Sequence, residues 1–486
     1  MHPSLSASTR LLFAGLALLA APYAHAQMPG ELPALGDRIT QDQVANELTI
    51  RQVRQEGRRI FSTPFNRLDG LGTAPNTPAL PVLGGIVRNG AFGPFTRVFG
   101  LDSQSCTECH SLLSADEIPN LFDVGGAGQL STNEIISTNL DLNQPFVGNF
   151  FNPIANFGSG GGELVGREMT TELQALKAQA IASPGVAVSL VTKGVSFGSI
   201  TCMADGSCDM SAVEGIMDDL VVRPFGHKGA TPTFRMLSTI AATFHFSMEP
   251  VEFIQLFGVD EDNDGDGVVD ELTIGEISAM HVWSGALAAP VQARRDASAQ
   301  RGFALFTGSN LDCAGCHVPS YVTESPILSF SFPEVFIDPT ANVYRSIDLR
   351  RFGYRPAGNG VRVEPFSDFK VHDMGPELAD TDPLFITAKL WGVADSAPYL
   401  HDGRAPTLTE AILAHGGEAA GASAGFAALS DQDKIDLLTF LRTLRNPRNP
   451  DADIKGGQSG GRGGDHGGDQ GGDHGGDHGG GPGRSH

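Results

Sequence analysis

Basic side chains are in short supply in this chain of 486 residues: 33 lysines and arginines stand against 56 aspartates and glutamates, a net charge of -23. That deficit excludes nucleic acid as a partner, because little would neutralise phosphates. It fits a solvated acidic surface or a basic protein partner. Long apolar runs are also missing. Past residue 26 no segment approaches the roughly 18 uninterrupted apolar residues of a transmembrane helix. Cysteine is scarce, with six copies, few enough that each has an assignment below.

Residues 1–26 are expected to be a signal peptide. Arg10 gives the charged start, LLFAGLALLAA the short apolar core, and Ala24-His25-Ala26 the small-residue cleavage site. The mature protein is then periplasmic or secreted. Length alone suggests two domains. QVRQEGRRIFSTPFNRL predicts a helix up to Pro64, residues 71–100 read as loops, and 125–165 as glycine-punctuated with little periodicity. Helices are expected at 169–183 and 211–221, and Thr273-x-x-Glu276 is a capping box at another helix start. ALAAPVQARRD (286–296) reads as a hinge. Beyond it, Ser430-x-x-Asp433 opens a helix with Ile435, Leu438 and Leu441 on its apolar side, closed off by Pro447 and Pro450. The Gly/Asp/His tail, residues 451–486, cannot bury a core and is expected to be disordered. Its His466, His474 and His478 offer at most a loose hold on copper, nickel or zinc.

SCTECHS (105–111) and DCAGCHV (312–318) share one pattern, Cys-x-x-Cys-His. A redox dithiol has no use for the histidine. A structural zinc site needs four ligands, which the motifs supply only by pooling across two hundred residues. Covalent haem uses every residue: two thioethers to the vinyl groups and an imidazole under the iron. Cys106, Cys109 and His110 are therefore read as holding one haem c, and Cys313, Cys316 and His317 a second. Gly57-x-x-x-Phe61 precedes the first motif and Gly302-x-x-x-Phe306 the second. Glycine on a helix admits a neighbouring helix, and Phe one turn later packs over a flat group. Together they predict a mainly α fold of two cytochrome-c-like haem domains with long loops, residues 27–290 and 297–447. Cys202 and Cys208 are expected to close a small disulfide loop, with free thiols as the alternative.

FSDFKVHDMGPELAD and TAKLWGVADSAPYLHDGRAPTLTEAILAHGGEA resemble the di-haem oxidoreductases related to bacterial di-haem cytochrome c peroxidases. The methylamine-utilisation di-haem enzyme and the rubber oxygenases are relatives. The resemblance covers about residues 55–447 and implies that the residue fourteen beyond the His-Asp-Gly turn at His401 is the distal ligand of the C-terminal haem. That residue is His415, at the end of an expected helix over Leu408–Ala414, where a capping role is the plainer alternative. On the other haem, the family's distal position falls on Gly126. That iron is either open or takes His227, His245 or His281. The resemblance also places His227 of VVRPFGHKGATPTFRML where the family keeps a tryptophan between its haems. His245, Glu249 and Glu252 of ATFHFSMEPVE fall where it keeps acid–base residues. His245, Glu249 and His227 are the catalytic candidates; His281 and His372 are expected to be structural, His372 with reach to a haem propionate.

VDEDNDGDGVVDELTIGE spaces Asp260, Asp262, Asp264, Asp266 and Asp270 like a calcium loop, with Val269 turned inward. A solvated acidic turn is the alternative. The activity expected from the resemblance is peroxidase-like. Electrons from a small redox protein enter at the C-terminal haem and pass to the N-terminal one, which reduces hydrogen peroxide or a similar small oxidant. A non-catalytic electron carrier, and an oxygenase or protein-oxidising enzyme acting on an organic substrate, are the rival readings.

Overall fold

The computed structural model describes residues 32–72, 104–110, 133–134, 149–150, 152–246, 248–258, 261–262, 266–379 and 382–451. The expected signal peptide, Gly126, most of the 71–100 segment and the tail beyond Asp451 lie outside them. Helix outweighs strand, 39% to 16%, so the fold is mainly α. The helices are α1 (Ile50–Ser62), α2 (Ser159–Ala182), α3 (Phe234–Phe246), α4 (Val251–Phe257), α5 (Ile274–Gly285), α6 (Ala297–Thr307), α7 (Cys313–Cys316), α8 (Leu408–Leu413), α9 (Ala420–Ala428) and α10 (Asp431–Leu441).

Two helix crossings organise the chain, and glycine makes both possible. A Cβ on Gly57 of α1 would lie 2.2 Å from the Ala279 carbonyl oxygen of α5. A Cβ on Gly302 of α6 would lie 1.9 Å from the Asp436 carbonyl oxygen of α10. No side chain fits at either place, so the backbones touch. Local sequence starts each helix. Thr49 and Gln52 form a reciprocal capping box on α1, and Thr273 and Glu276 form the expected one on α5. Asp296 caps α6 and Ser430 caps α10 through their side-chain oxygens.

The first crossing sits in a large apolar core running from Leu35 to Trp391, which includes strands from residues 321–363. The second has a smaller core built on Phe306, Phe366, Phe426, Leu437 and Phe440. Segment 286–296 is pinned between them. Strand Val291–Gln292 pairs with Leu444–Arg445, and the Ala288 N–H donates to the Pro450 carbonyl at 2.9 Å. The chain then reaches Asp451, which is buried against α1 and α5. It accepts from Arg54 Nη2 at 3.1 Å and from Trp283 Nε1 at 3.0 Å.

Several elements differ from expectation. Helix α2 begins at Ser159, ten residues early, and takes in glycines of the segment read as having little periodicity. They are helical because they are crowded: a Cβ on Gly160 would sit 2.1 Å from the Gly285 carbonyl oxygen, and one on Gly161 2.4 Å from the Tyr354 ring. Residues 211–221 form turns, not a helix, tied by a bridge between Gly198 and Val213. The buried side of α10 is Asp436, Leu437, Phe440 and Leu441, while Ile435 is 53% exposed. Cys202 and Cys208 do form a disulfide, joining strands Val195–Cys202 and Cys208–Asp209.

A buried ion cluster joins α2 to α5. Glu163 accepts from His281 Nε2 at 2.8 Å, from Arg167 Nη2 at 2.7 Å and from the Phe234 N–H at 3.1 Å. Burial alone would raise this carboxyl, but His281 and Arg167 outweigh it and hold it near about 2. A carboxyl depressed in the folded state stabilises the fold above its unfolded value and loses that contribution as pH falls. Thermal melts should therefore show stability declining between pH 4.5 and 2. Glu163→Gln should flatten that decline, removing at most roughly 3 kcal/mol of pH dependence.

Candidate functional site

Each Cys-x-x-Cys-His motif forms a tight turn in front of its helix crossing. In the first, Cys106–Glu108 is a single 3-10 turn, and the His110 N–H donates to the Cys106 carbonyl at 2.8 Å. In the second, α7 is one turn, and the His317 N–H donates to the Cys313 carbonyl at 2.8 Å. The phenylalanine one turn after each crossing glycine faces the histidine. Ring centroids are 6.1 Å apart for Phe61 and His110, and 6.4 Å for Phe306 and His317. The repeat read in the sequence is thus a repeat in space.

All four motif cysteines are half-buried. Burial pushes the Cys106 thiol up to about 12 and the Cys313 thiol up to about 11. A reactive dithiol needs the opposite shift. Among the described residues the four thiols are not gathered into one metal group, which disfavours pooled zinc.

At the second motif a further histidine, His415, faces His317. His415 follows α8 at its C-terminal cap, where Gly417 turns the chain away with φ of 48°. Its Nδ1 contacts the Ala411 carbonyl at 2.8 Å, and His317 Nδ1 contacts the Phe366 carbonyl at 2.8 Å. A carbonyl only accepts, so both Nδ1 atoms carry the proton and each Nε2 keeps its lone pair. The two rings lie 6.4 Å apart between centroids. That leaves room for one metal atom bonded to each ring at about 2 Å. Burial, and then the neighbouring His415, lowers His317 to about 4; burial also lowers His415. Both imidazoles are neutral at pH 7, as ligation requires. The residues present fit a c-type haem here.

His372 lies beside this pair, bound to two carboxylates. Its Nε2 donates to Asp368 at 2.9 Å and its Nδ1 to Glu418 at 2.7 Å. Burial disfavours its charged form, but hydrogen bonds to Asp368, Cys316 and Glu418 prevail and raise it to about 11. Sequence reading missed this trio. The four-residue step from Asp368 to His372, and Glu418 three residues past His415, were the available signals.

The other candidates are scattered. His281 is fully buried, with Nε2 against Glu163 at 2.9 Å. His227 packs at 6.3 Å against His401 of the His-Asp-Gly turn, with Nε2 against the Asn152 carbonyl at 3.0 Å. His245 is half-buried near the end of α3. The adjacent Phe246 meets Phe65, whose N–H donates to the Gln104 carbonyl just ahead of the first motif. Glu249 is buried, its N–H donating to Glu271, and Glu252 pairs with Arg235 through Oε2 at 2.9 Å.

In the acidic loop, Asp260 and Asp264 lie outside the described residues. Asp262 and Asp266 accept from the N–H groups of Gly267 and Val268, and Arg38 Nη2 donates to the Asp270 carbonyl. Val269 points outward, 49% exposed, contrary to the inward position expected of it.

Two glycine-set helix crossings, each beside a Cys-x-x-Cys-His turn, and one facing pair of imidazoles make up a donor set of the kind a c-type haem takes. Residues 257–444 match the family described as di-haem oxidoreductase, putative peroxidase. The cytochrome-c peroxidase IdrP2 of Pseudomonas sp. (strain SCT) is 30% identical over 149 residues, 30% of this chain and 39% of its own length. The chain thus spans well under half of that curated relative. Among solved structures, a MauG-like protein associated with microbial copper homeostasis is 16% identical, covering 64% of this chain and 99% of its own, with a TM-score of 0.26. The diheme peroxidase BthA from Burkholderia thailandensis is 12% identical over 68% of this chain and 96% of its own, with a TM-score of 0.27. Among the described residues no helix is long and apolar enough to cross a membrane.

Proposed function

We propose that the chain binds two haem c groups and reduces hydrogen peroxide or a similar small oxidant. Electrons from a small redox protein would be taken up at the C-terminal haem. The observation that supports this division of labour is the asymmetry of the two motifs. His317 has His415 facing it at 6.4 Å, whereas Gly126, at the distal position implied by resemblance for the first motif, has no side chain to offer.

Haem supplies an electron store where both axial positions are filled, and a binding place for a small oxidant where one is open. The chain's residues do the rest. Cys313, Cys316, His317 and His415 hold the store; Cys106, Cys109 and His110 hold the reactive group. Phe61 and Phe306 pack against the proximal imidazoles. Turning peroxide into water needs one group to take a proton from the near oxygen and pass it to the leaving oxygen. His245 and Glu249 are the candidates for that transfer. His227 packs against His401 of the His-Asp-Gly turn and is the third candidate.

Electron paramagnetic resonance of matured protein tests the reading. One low-spin and one high-spin haem at rest, with peroxide consumed at the expense of a reduced donor protein, is the expected result. Two low-spin haems that stay so on half-reduction would make the chain an electron carrier instead.

A further inference from the structure

His372 joins the two segments that hold the C-terminal ligand pair, and it does so through side chains the electron path does not use. It lies on strand Val371–Asp373 and is almost fully buried. Two carboxylates can only accept from it, so both ring nitrogens donate. Asp368 stands two residues from Phe366, the carbonyl that orients His317. It is fixed in turn by Thr387 Oγ1 at 2.7 Å and by the Lys370 N–H at 2.9 Å. Glu418 stands three residues past His415, and its other oxygen accepts from the Asp373 N–H at 2.9 Å.

The backbones of these segments also meet without intervening side chains. A Cβ on Gly417 would lie 2.1 Å from the Asp373 carbonyl oxygen, and one on Gly416 2.7 Å from that of Met374. Segment 366–375 and turn 415–418 therefore behave as one block wherever the hydrogen bonds hold.

We propose that His372 is a positioning residue: by tying Asp368 to Glu418 it locks the carbonyl that orients His317 to the turn that carries His415, and so fixes the two axial imidazoles relative to each other. The inference rests on the assignment of His317 and His415 as that axial pair. Groups behind ligating histidines set ring orientation and ligand basicity in this way. A pair held from behind keeps one geometry through oxidation and reduction, which suits a site that only stores and passes electrons. Ordinary packing would give His372 a stabilising role and nothing more.

The test uses full-length matured protein carrying Glu418→Ala, Glu418→Gln or His372→Gln. The Glu418 side chain is 56% exposed, so its loss spares the core. Glu418→Ala should broaden or split the low-spin signal of the C-terminal haem and shift its reduction potential, leaving the N-terminal signal alone. Glu418→Gln keeps an oxygen for the Nδ1 proton and should restore a single narrow signal. His372→Gln should act like Glu418→Ala, more strongly; if it fails to mature, the Glu418 pair still decides. The proposal is overturned if Glu418→Ala leaves signal and potential as in the wild type and lowers only the melting temperature. A wild type without any low-spin signal dependent on His415 overturns the ligand assignment and takes this inference with it. A normal wild type with an unresponsive Glu418→Ala variant overturns the inference alone.

Discussion

Replacing His415 by Ala is expected to abolish the low-spin signal of the C-terminal haem, leave that of the N-terminal haem unchanged, and cut turnover at least about 10- to 100-fold, the range seen when even indirect partners of a metal ligand are lost. The expectation follows from geometry. His317 and His415 face each other at 6.4 Å with each Nδ1 engaged by a backbone carbonyl, so deleting one ring opens one iron position and nothing else. The capping alternative makes a different forecast. A histidine that merely met the dipole of α8 would cost about 0.3–1 kcal/mol on removal and leave both spectra intact. Pyridine haemochrome assay of the same variant should still count two haems, because Cys313 and Cys316 are untouched. A variant with one haem would mean that the turn at 415–418 is needed for attachment as well as ligation.

The parts of this site legible in the sequence were those whose chemistry is contiguous. Cys-x-x-Cys-His states its own geometry, since one helical turn is enough to bring two thiols and an imidazole to one side. The Gly/Phe pairs were legible because they repeat, and the structure places both phenylalanines on their histidines. Glycine misled where it stood alone. Gly160 and Gly161 fell in a segment read as glycine-punctuated with little periodicity, but the partners that crowd them, Gly285 and Tyr354, are more than a hundred residues away. Periodicity failed on α10 for a similar reason. Its best-buried residues include Asp436, whose side chain binds Arg301 and Ser298 of α6, and a hydrophobicity pattern does not count a buried carboxylate. His372 was placed near a haem by resemblance, yet its partners Asp368 and Glu418 become visible only once residues 366–375 fold onto the turn after His415. Long-range pairing is what a single sequence hides.

Substituting Gly302 with Val should have the largest effect on the fold itself. The new Cβ would meet three backbone atoms of α10: the Asp436 carbonyl oxygen at 1.9 Å, its carbon at 2.5 Å and the Leu437 nitrogen at 2.9 Å. Backbone inside a helix cannot swing aside, so α6 and α10 must separate. Separation breaks the aromatic contacts that close the small core, Phe303 with Phe440 at 5.1 Å and Phe306 with Phe440 at 5.2 Å. Overpacking a tight site costs about 1–3 kcal/mol, occasionally more, and each lost aromatic pair adds about 0.5–1.5 kcal/mol. Against a total of about 5–15 kcal/mol for a folded domain, the variant should melt far below the wild type and lose the low-spin signal of the C-terminal haem, because Phe306 no longer backs His317. Gly421→Ala on α9 is the contrasting case. Nothing lies within 4 Å of its Cβ position, so the gain in helix propensity should stabilise by about 0.5–1 kcal/mol. Melting curves of the two variants decide whether glycine acts here through contact or through flexibility. If Gly302→Val melts with the wild type, the close crossing of α6 and α10 does not exist in solution, and the pairing of His317 with His415 loses the support on which it stands.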